Sequence, residues 1–576
     1  MAAVKKIWNS KMGLPLIIAL LIAINWLASL YHTRLDFTNE KRFTLSAPTK
    51  KILKNLEETV TVDVFLKGEF PSGFKKLANS TNEILSEFKE IAGSKLQYNF
   101  ISPDETMEGA NITWGDSLIA SGFSPINIKA QIKSGEQQQY IFPVALVHYK
   151  DNILPIVLFE KKGIQKAGVD GRISYSELNS AEAMMEFRFA DAISRLSQTQ
   201  KTRVAYSAGN GETGNMKSYD LANNVLLNDF DLQVLDLNIH PLNPDTFKLL
   251  VIVKPTKKFT EIEKLKIDQF VIGGGKLLVF IDKLEAELDS LKSMSNEVVA
   301  YDRNLGLDDL LFKYGARVNP DLVMDLQCDY LPFVTNGSGQ MEYLRWNYFP
   351  LFESKSNHVI NKNIGLVSGQ FVNSIDTVEA EGIKKTILLS SSPNSRLIAT
   401  PAIISGKENV NTPEDDKFKK ANIPVAVLLE GKFQSMYNNR LSQAMNDSLQ
   451  QEGLMFLPQA IKDNKIIVVG DGDMVLNAVD KDGPLPMGIN RYTAGTQYEY
   501  QFANKDFLQN CLDYLVNQSG LSEAKAKDYT LRLLDTKKVA AEKTTWQVIN
   551  IGAPVLLVFV FAVVYQWRRK RKYTKK

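Results

Sequence analysis

Arg203-Val-Ala-Tyr-Ser207, running into Ala208-Gly-Asn-Gly-Glu-Thr213, decides the fold: an apolar strand that ends in a glycine turn and leads to a helix opens a βαβ unit. The pattern then repeats. Tyr219 to Leu227 has helical periodicity, Leu232 to Leu235 reads as a short strand, and Leu249-Leu-Val-Ile-Val253 is apolar throughout. Glu261 to Ile272 reads as a helix, Lys276-Leu-Leu-Val-Phe-Ile281 as the next strand, and Leu305 to Tyr314 as a further helical layer. Strands apolar on both faces imply a parallel sheet covered on both sides, a doubly wound α/β domain. The alternation resumes at Lys465-Ile-Ile-Val-Val469, the turn Gly470-Asp-Gly-Asp473, and helices at Met474 to Val479 and Asp506 to Val516. The domain is therefore expected over 171–327 and 461–520, with 328–460 a long insertion that holds short strands at Lys385 to Leu389 and Ile423 to Leu429.

Upstream, Val60-Thr-Val-Asp-Val-Phe-Leu66 alternates as a strand, Phe74 to Ile91 as a helix, and Leu96-Gln-Tyr-Asn-Phe-Ile101 is a second strand. Further strands are expected at Ile126 to Ile132, Tyr140 to Tyr149 and Ile153 to Phe159, and a helix at Ser176 to Leu196. This order is similar to a thioredoxin-like domain over 59–170, but without a redox cysteine pair it can serve only as scaffold or binding module. Ser46 and Pro48 predict the start of a short helix within a stalk at 32–58.

The 576-residue chain carries 68 Lys+Arg against 65 Asp+Glu, a net +3 that gives no global grip on nucleic acid. That balance is partitioned. Lys5, Lys6 and Lys11 lie at one end and Arg568, Arg569, Lys570, Arg571, Lys572, Lys575 and Lys576 at the other; without these ten the remainder holds 58 basic against 65 acidic residues, or −7. Each cluster borders an uncharged apolar run, Met12 to Tyr31 and Thr544 to Trp567, long enough to cross about 30 Å of hydrocarbon. Basic residues collect on the cytoplasmic flank, so a two-pass protein is expected. The tips at 1–11 and 568–576 would be cytoplasmic, the spans would lie at 12–31 and 544–567, and the bulk would be extracytoplasmic. The first run reads as a retained anchor, because Ala28-Ser-Leu-Tyr31 offers no small-residue cleavage pair. A second stalk occupies 521–543.

Candidate chemistry is sparse. All three Gly-Lys pairs, at Lys276, Lys407 and Lys432, lack the spacing of a phosphate-binding loop, and Gly273-Gly-Gly275 reads as a helix-ending turn. Gly209, Asn210, Gly211 and Glu212 stand where doubly wound sheets bind ligands, and their backbone N–H groups offer an anion site. A nucleophile elbow there would need Ser or Cys on the turn, and Ser207 is still on the strand. Asp471 and Asp473 read either as metal-facing carboxylates or as a tight turn whose last Asp caps a helix. Cys328 and Cys511 are left open as a pair or as free thiols, and no metal site, cofactor or catalytic residue is expected.

Several blocks taken together carry a family resemblance. They are Arg34-x-Asp36-x-Thr38 with Lys41-Arg42-Phe-Thr-Leu-Ser46, Gly209-x-Gly-Glu212, Phe270 to Asp282, Asn304-Leu-Gly-Leu-Asp-Asp-Leu-Leu, Val425 to Phe433, Val469-Gly-Asp-Gly-Asp473, Asn504 to Asn510 and Leu531-Arg532-Leu-Leu-Asp535. In this order, between two anchors, the chain resembles the GldG family of gliding-motility-associated ABC transporter auxiliary components. The resemblance implies a non-enzymatic inner-membrane subunit that assembles with a polytopic permease and a cytoplasmic ATPase. It also implies periplasmic domains, one of them flavodoxin/glutamine-amidotransferase-like, that bind a secreted protein or surface polymer. Arg34, Asp36, Thr38, Lys41, Arg42, Arg532 and Asp535 would then couple those domains to the membrane. A purely structural role beside the permease, and a hydrolase or amidotransferase-like activity at Gly209 to Glu212, are the rival expectations. Asn210 stands where relatives commonly carry His, and no cysteine occupies the amidotransferase nucleophile position.

Overall fold

The computed structural model describes residues 44–68, 70, 72–107, 109–132, 135–159, 175–198, 200–289, 297–334, 341–353, 356, 358–362, 364–405, 415–516, 520–521 and 536–573, together with Ala19 and Ile22. It divides into two units, 1–528 and 529–576. Apart from Ala19 and Ile22, residues 1–43 lie outside the described residues, and with them Lys5, Lys6, Lys11, Arg34, Asp36, Thr38, Lys41 and Arg42, as do Arg532 and Asp535.

Helix α1 (Ala47–Lys54) starts where Ser46 and Pro48 predict, with the Ser46 hydroxyl accepting the Thr49 N–H. Strand β1 (Val60–Val64) buries Val60, Val62 and Val64. Helix α2 (Ser72–Ala92) returns the chain to β2 (Leu96–Phe100), parallel to β1. Strands β3 (Val144–Tyr149) and β4 (Asn152–Val157) complete the order β2-β1-β3-β4, both turns being antiparallel. The strand expected over Tyr140 to Tyr149 is broken, because Pro143 has no N–H to give a ladder. Its first two residues, Tyr140 and Ile141, instead end the strand Gly135–Ile141, which pairs with Ile126–Ile132 as a separate ribbon. The helix expected over Ser176 to Leu196 is also two, Tyr175–Ala183 and α3 (Met185–Ser197). Glu186 on α3 accepts the Ser46 N–H at 2.7 Å and the Thr49 hydroxyl at 2.8 Å, tying the start of the described chain to this lobe.

The larger sheet holds β5 (Arg203–Ala208), β6 (Asp231–Asp236), β7 (Leu249–Val253), β8 (Lys276–Phe280), β9 (Ile383–Ser390), β10 (Pro424–Gly431) and β11 (Asn464–Val469). Its order is β9-β10-β11-β8-β7-β5-β6. Strands β5 to β8 and β11 are parallel, while β10 runs antiparallel to both β11 and β9. All five β7 side chains are buried. Leu249, Val251 and Val253 pack with Leu221, Val225, Phe507 and Leu512 on one face; Leu250 and Ile252 pack with Ile267, Phe270, Val271 and Tyr314 on the other. At about 2 kcal/mol per buried aliphatic side chain, β7 alone contributes roughly 10 kcal/mol before its conformational entropy is counted. The covering helices are α4 (Glu261–Ile272), α5 (Asp308–Tyr314) and α6 (Asn504–Val516).

Several sequence expectations need correction here. The stretch 328–460 is not an insertion outside the sheet, since it supplies β9 and β10. Strand β9 opens with Lys384 and Lys385 because it is an edge, where charge blocks further pairing. Other described strands of that stretch gather around Trp346, Tyr348, Phe349 and Phe371, and its helix Gln443–Gln451 packs through Leu449 with Leu265 of α4. The helix expected at Tyr219 to Leu227 is wound as a π-helix over Asp220–Leu226, and Met474 to Val479 yields only a 3₁₀ turn at Asp473–Val475. Cys328 and Cys511 are both free and buried.

In the second unit, α7 (Thr536–Tyr573) starts eight residues before the expected span and absorbs the last third of the 521–543 stalk. Its stretch Thr544–Arg571 is long and apolar enough to cross a membrane, and Arg568, Arg569, Lys570 and Arg571 close that stretch as helix.

Candidate functional site

The carboxyl edge of the parallel strands gathers the polar residues that follow each apolar run. Strand β5 ends in Gly209 to Glu212, β7 in Lys254, β8 in Asp282, and β11 in Gly470 to Asp473. The strand order reverses between β5 and β7, so this edge holds the crevice in which open α/β sheets take ligands.

The Gly209 turn is closed by its own carboxylate. Gly209 and Gly211 have φ of +115° and +79°, and a Cβ at Gly211 would overlap the Thr256 hydroxyl, so glycine is required there. Glu212 accepts the Asn210 N–H at 2.8 Å and shares a 2.6 Å hydrogen bond with the Ser207 hydroxyl. The Asn210 carbonyl accepts the N–H groups of Thr256 and Lys257, stapling the β5 turn to the β7 turn. Asn210 Nδ2 donates to Glu263 of α4 at 3.3 Å, while Asn210 Oδ1 and Glu263 Oε1 are buried with no hydrogen-bond partner among the described residues, the kind of pair that a buried water satisfies. Burial raises the Glu212 pKa above the ordinary range, with neighbouring Glu263 adding to it and the Ser207 and Asn210 hydrogen bonds opposing it.

Beside the turn lies an ion cluster. Lys254, at φ +48°, points its ammonium at Asp282 (3.1 Å), Asp473 (2.7 Å) and Glu287 (3.0 Å). Arg303 pairs with the same Glu287 at 3.0 Å. Asp282 also accepts the Gly472 N–H, and Asp471 accepts those of Asp473 (2.8 Å), Met474 (3.1 Å) and Gln370 (2.9 Å). Burial alone would lower the Lys254 pKa, but its three carboxylates overcome this and hold it well above the ordinary value. Burial pushes Asp282 up to about 6 against the pull of Lys254, and pushes Asp471 well above the carboxylate range, with Asp282 adding to the effect. Lys254 is therefore a fixed cation, unsuited to act as a nucleophile or a Schiff-base amine. Oxygens of Asp282, Asp471 and Asp473 lie within 4.8 Å of one another, a donor set suited to a hard cation, yet the chain supplies its own charge at their centre.

Of the residues singled out from sequence, the structure places Gly209 to Glu212 and Asp471 with Asp473 on this edge. Asp471 rather than Asp473 caps the following turn, and Asp473 faces Lys254. Lys254, Asp282 and Glu287 were not recognised as partners. The signal for Lys254 and Asp282 is a charged residue just past each of two apolar runs, Leu249 to Val253 and Leu277 to Ile281. A cleft of about 110 Å³ adjoins the cluster, lined by Lys217, Glu287, Asp289, Gln370, Asp473 and Arg491 among others. A larger concavity of about 1170 Å³ opens at the amino edge, where Arg195 of α3 binds Asp191 (2.7 Å), Asp229 and Asp513 and so joins the two lobes.

A sheet-and-helix body in one unit and a membrane-length helix in the other define a membrane-associated α/β protein. Residues 201–511 match the family described as ABC-type uncharacterized transport system, which covers more than half of the sequence. The chain belongs to that family of transport-associated auxiliary components, and membership implies association with ABC transporter components. Residues 39–148 match a domain of unknown function (DUF7088). An uncharacterized protein of Borreliella burgdorferi is 18% identical over 584 residues, covering 98% of this chain and 99% of that protein. Among solved structures, the N-terminal domain of mmIFT52 is 15% identical and covers 55% of this chain and 98% of its own, with a TM-score of 0.30. A ThuA-like protein from Parabacteroides merdae is 8% identical, covers 55% of this chain and 91% of its own, and has a TM-score of 0.25.

Proposed function

We propose that the chain is a non-catalytic auxiliary subunit of an inner-membrane ABC transporter complex associated with gliding motility. Its periplasmic α/β domains bind a partner or substrate and are coupled to a polytopic permease and a cytoplasmic ATPase. The transport family carries the transporter part of this reading; the gliding association rests on the sequence blocks from Arg34 to Asp535. The order β2-β1-β3-β4 supports a thioredoxin-like scaffold, and the parallel succession β6-β5-β7-β8-β11 supports a flavodoxin/glutamine-amidotransferase-like domain. Both termini are assigned to the cytoplasm by the basic clusters that flank two apolar runs.

The self-closed carboxyl edge supports the absence of catalysis. Glu212 takes the turn's N–H and hydroxyl donors, and Lys254 takes the acid cluster. It also favours a second reading, in which the body stabilises the permease or motility machinery without capturing a ligand at Gly209 to Glu212. Purification of the tagged full chain in mild detergent is expected to bring down a permease and an ATPase. Recovery of the chain alone would refute the proposal, while an intact complex that binds no further component would favour the second reading.

A further inference from the structure

Helix α7 is not uniform around its circumference. From Val548 to Tyr565 its only polar side chains are Asn550 and Tyr565, and at 100° per residue both fall, with Gln547, Pro554 and Phe561, inside an arc of about 60°. The stacked rings of Phe561 and Tyr565, with centroids 6.4 Å apart, lie along that side. Ile549, Gly552, Leu556, Phe559, Val560 and Val563 form the opposite side, which carries only hydrocarbon and glycine.

Pro554 adds a second polar demand to the same arc. It sits inside the helix and has no N–H, so the carbonyl of Asn550, four residues earlier, loses its intrahelical donor. About twenty residues counted back from Arg568 reach Val548, which puts Asn550 inside the hydrocarbon, and its carbonyl points along the axis toward the deeper Pro554. A membrane-spanning helix meets such a demand through ordered water, a local change of winding or a neighbouring helix that offers a hydrogen bond, and of these only a neighbouring helix also accounts for the Asn550 and Tyr565 side chains on the same arc. Asn550 is exposed, and its side chain makes no hydrogen bond among the described residues.

We propose that the side of α7 bearing Asn550, Pro554, Phe561 and Tyr565 is the docking face for a transmembrane helix of the permease, whose Ser, Thr, Asn or Gln side chain donates to the Asn550 carbonyl. The proposal rests on the reading of the chain as a permease-associated subunit and specifies the contact. The opposite side faces lipid.

The test uses the full chain in its native membrane, with a benzophenone amino acid placed at Phe561 or at Phe559. Position 561 is expected to cross-link to the permease and position 559 to lipid. Pro554→Ala returns the missing N–H and strengthens the helix, so it should lower the permease adduct from position 561 by about three- to thirty-fold at unchanged protein level. Lipid adducts alone from position 561, equal protein adducts from both positions, an adduct with a second copy of the chain, or an undiminished yield with Pro554→Ala would each overturn it. If the permease co-purifies while position 561 meets only lipid, the docking face fails and the subunit reading stands; if no permease co-purifies, both fail.

Discussion

Replacing Lys254 with Met tests whether the acid cluster is held by an internal cation. The lysine side chain is 8% exposed and lies within 3.1 Å of Asp282, Asp473 and Glu287, so its removal leaves three carboxylates facing one another with Asp471 behind them. Breaking a buried pair by deleting one partner costs about 3–5 kcal/mol, because the remaining charge is uncompensated. The loss depends on pH in a definite direction. The folded pKa of Asp282, about 6, lies above its ordinary 3.8, so its contribution to stability is full below the unfolded value and is lost as pH rises through 6. Without Lys254 the acids hold protons more tightly, and acid should relieve the repulsion. Urea unfolding followed at the larger sheet should show Lys254→Met destabilised by about 3–5 kcal/mol near pH 8 and by roughly half as much near pH 5. A loss under about 1 kcal/mol near pH 8, or an equal loss at both pH values, would refute the account.

Two further substitutions probe the turn and the joint between lobes. Glu212→Ala removes the acceptor of the Asn210 N–H and the Ser207 hydroxyl and should cost about 1–3 kcal/mol, whereas Glu212→Gln, which keeps one acceptor, should cost less; denaturant midpoints of the two variants check the order. Arg195→Met leaves Asp191, Asp229 and Asp513 without their shared cation. It should lower stability by about 2 kcal/mol or more and speed limited proteolysis between the lobes, near Gln198 to Thr202.

The elements most legible in the sequence were those whose burial is simplest. Strands β7, β8 and β11 read from unbroken apolar runs, and Ser46 with Pro48 marked a helix start that the structure keeps. Strands β9 and β10 read as short strands at Lys385 to Leu389 and Ile423 to Leu429 but were assigned to an insertion, because the apolar pattern of a strand does not reveal its antiparallel partner. The π-helical winding of Asp220–Leu226 is invisible to an apolar pattern that fits either helix. The Gly209 turn was found because a required glycine leaves a sequence mark. The Lys254 cluster was missed because it unites residues 254, 282, 287, 471 and 473 through tertiary contact alone. The membrane-length stretch begins at Thr544, where the apolar run does, while the helix itself starts earlier, since Lys537, Lys538, Glu542 and Lys543 end an apolar run without ending a helix.

Two neighbours in the large sheet, β8 and β11, lie far apart in the chain. Phe280 closes one and Asn464 opens the other, so 183 residues intervene before the hydrogen-bonding edge of β8 meets its partner. At synthesis rates of about 5–20 residues per second that edge waits on the order of 10–40 s, with Leu277 to Phe280 apolar and unpaired. During that interval the nascent half-sheet is an open template for any other strand. The order of birth of the strands thus gives this protein a window of vulnerability that its finished form does not show, and makes an escort during biosynthesis a property of its topology.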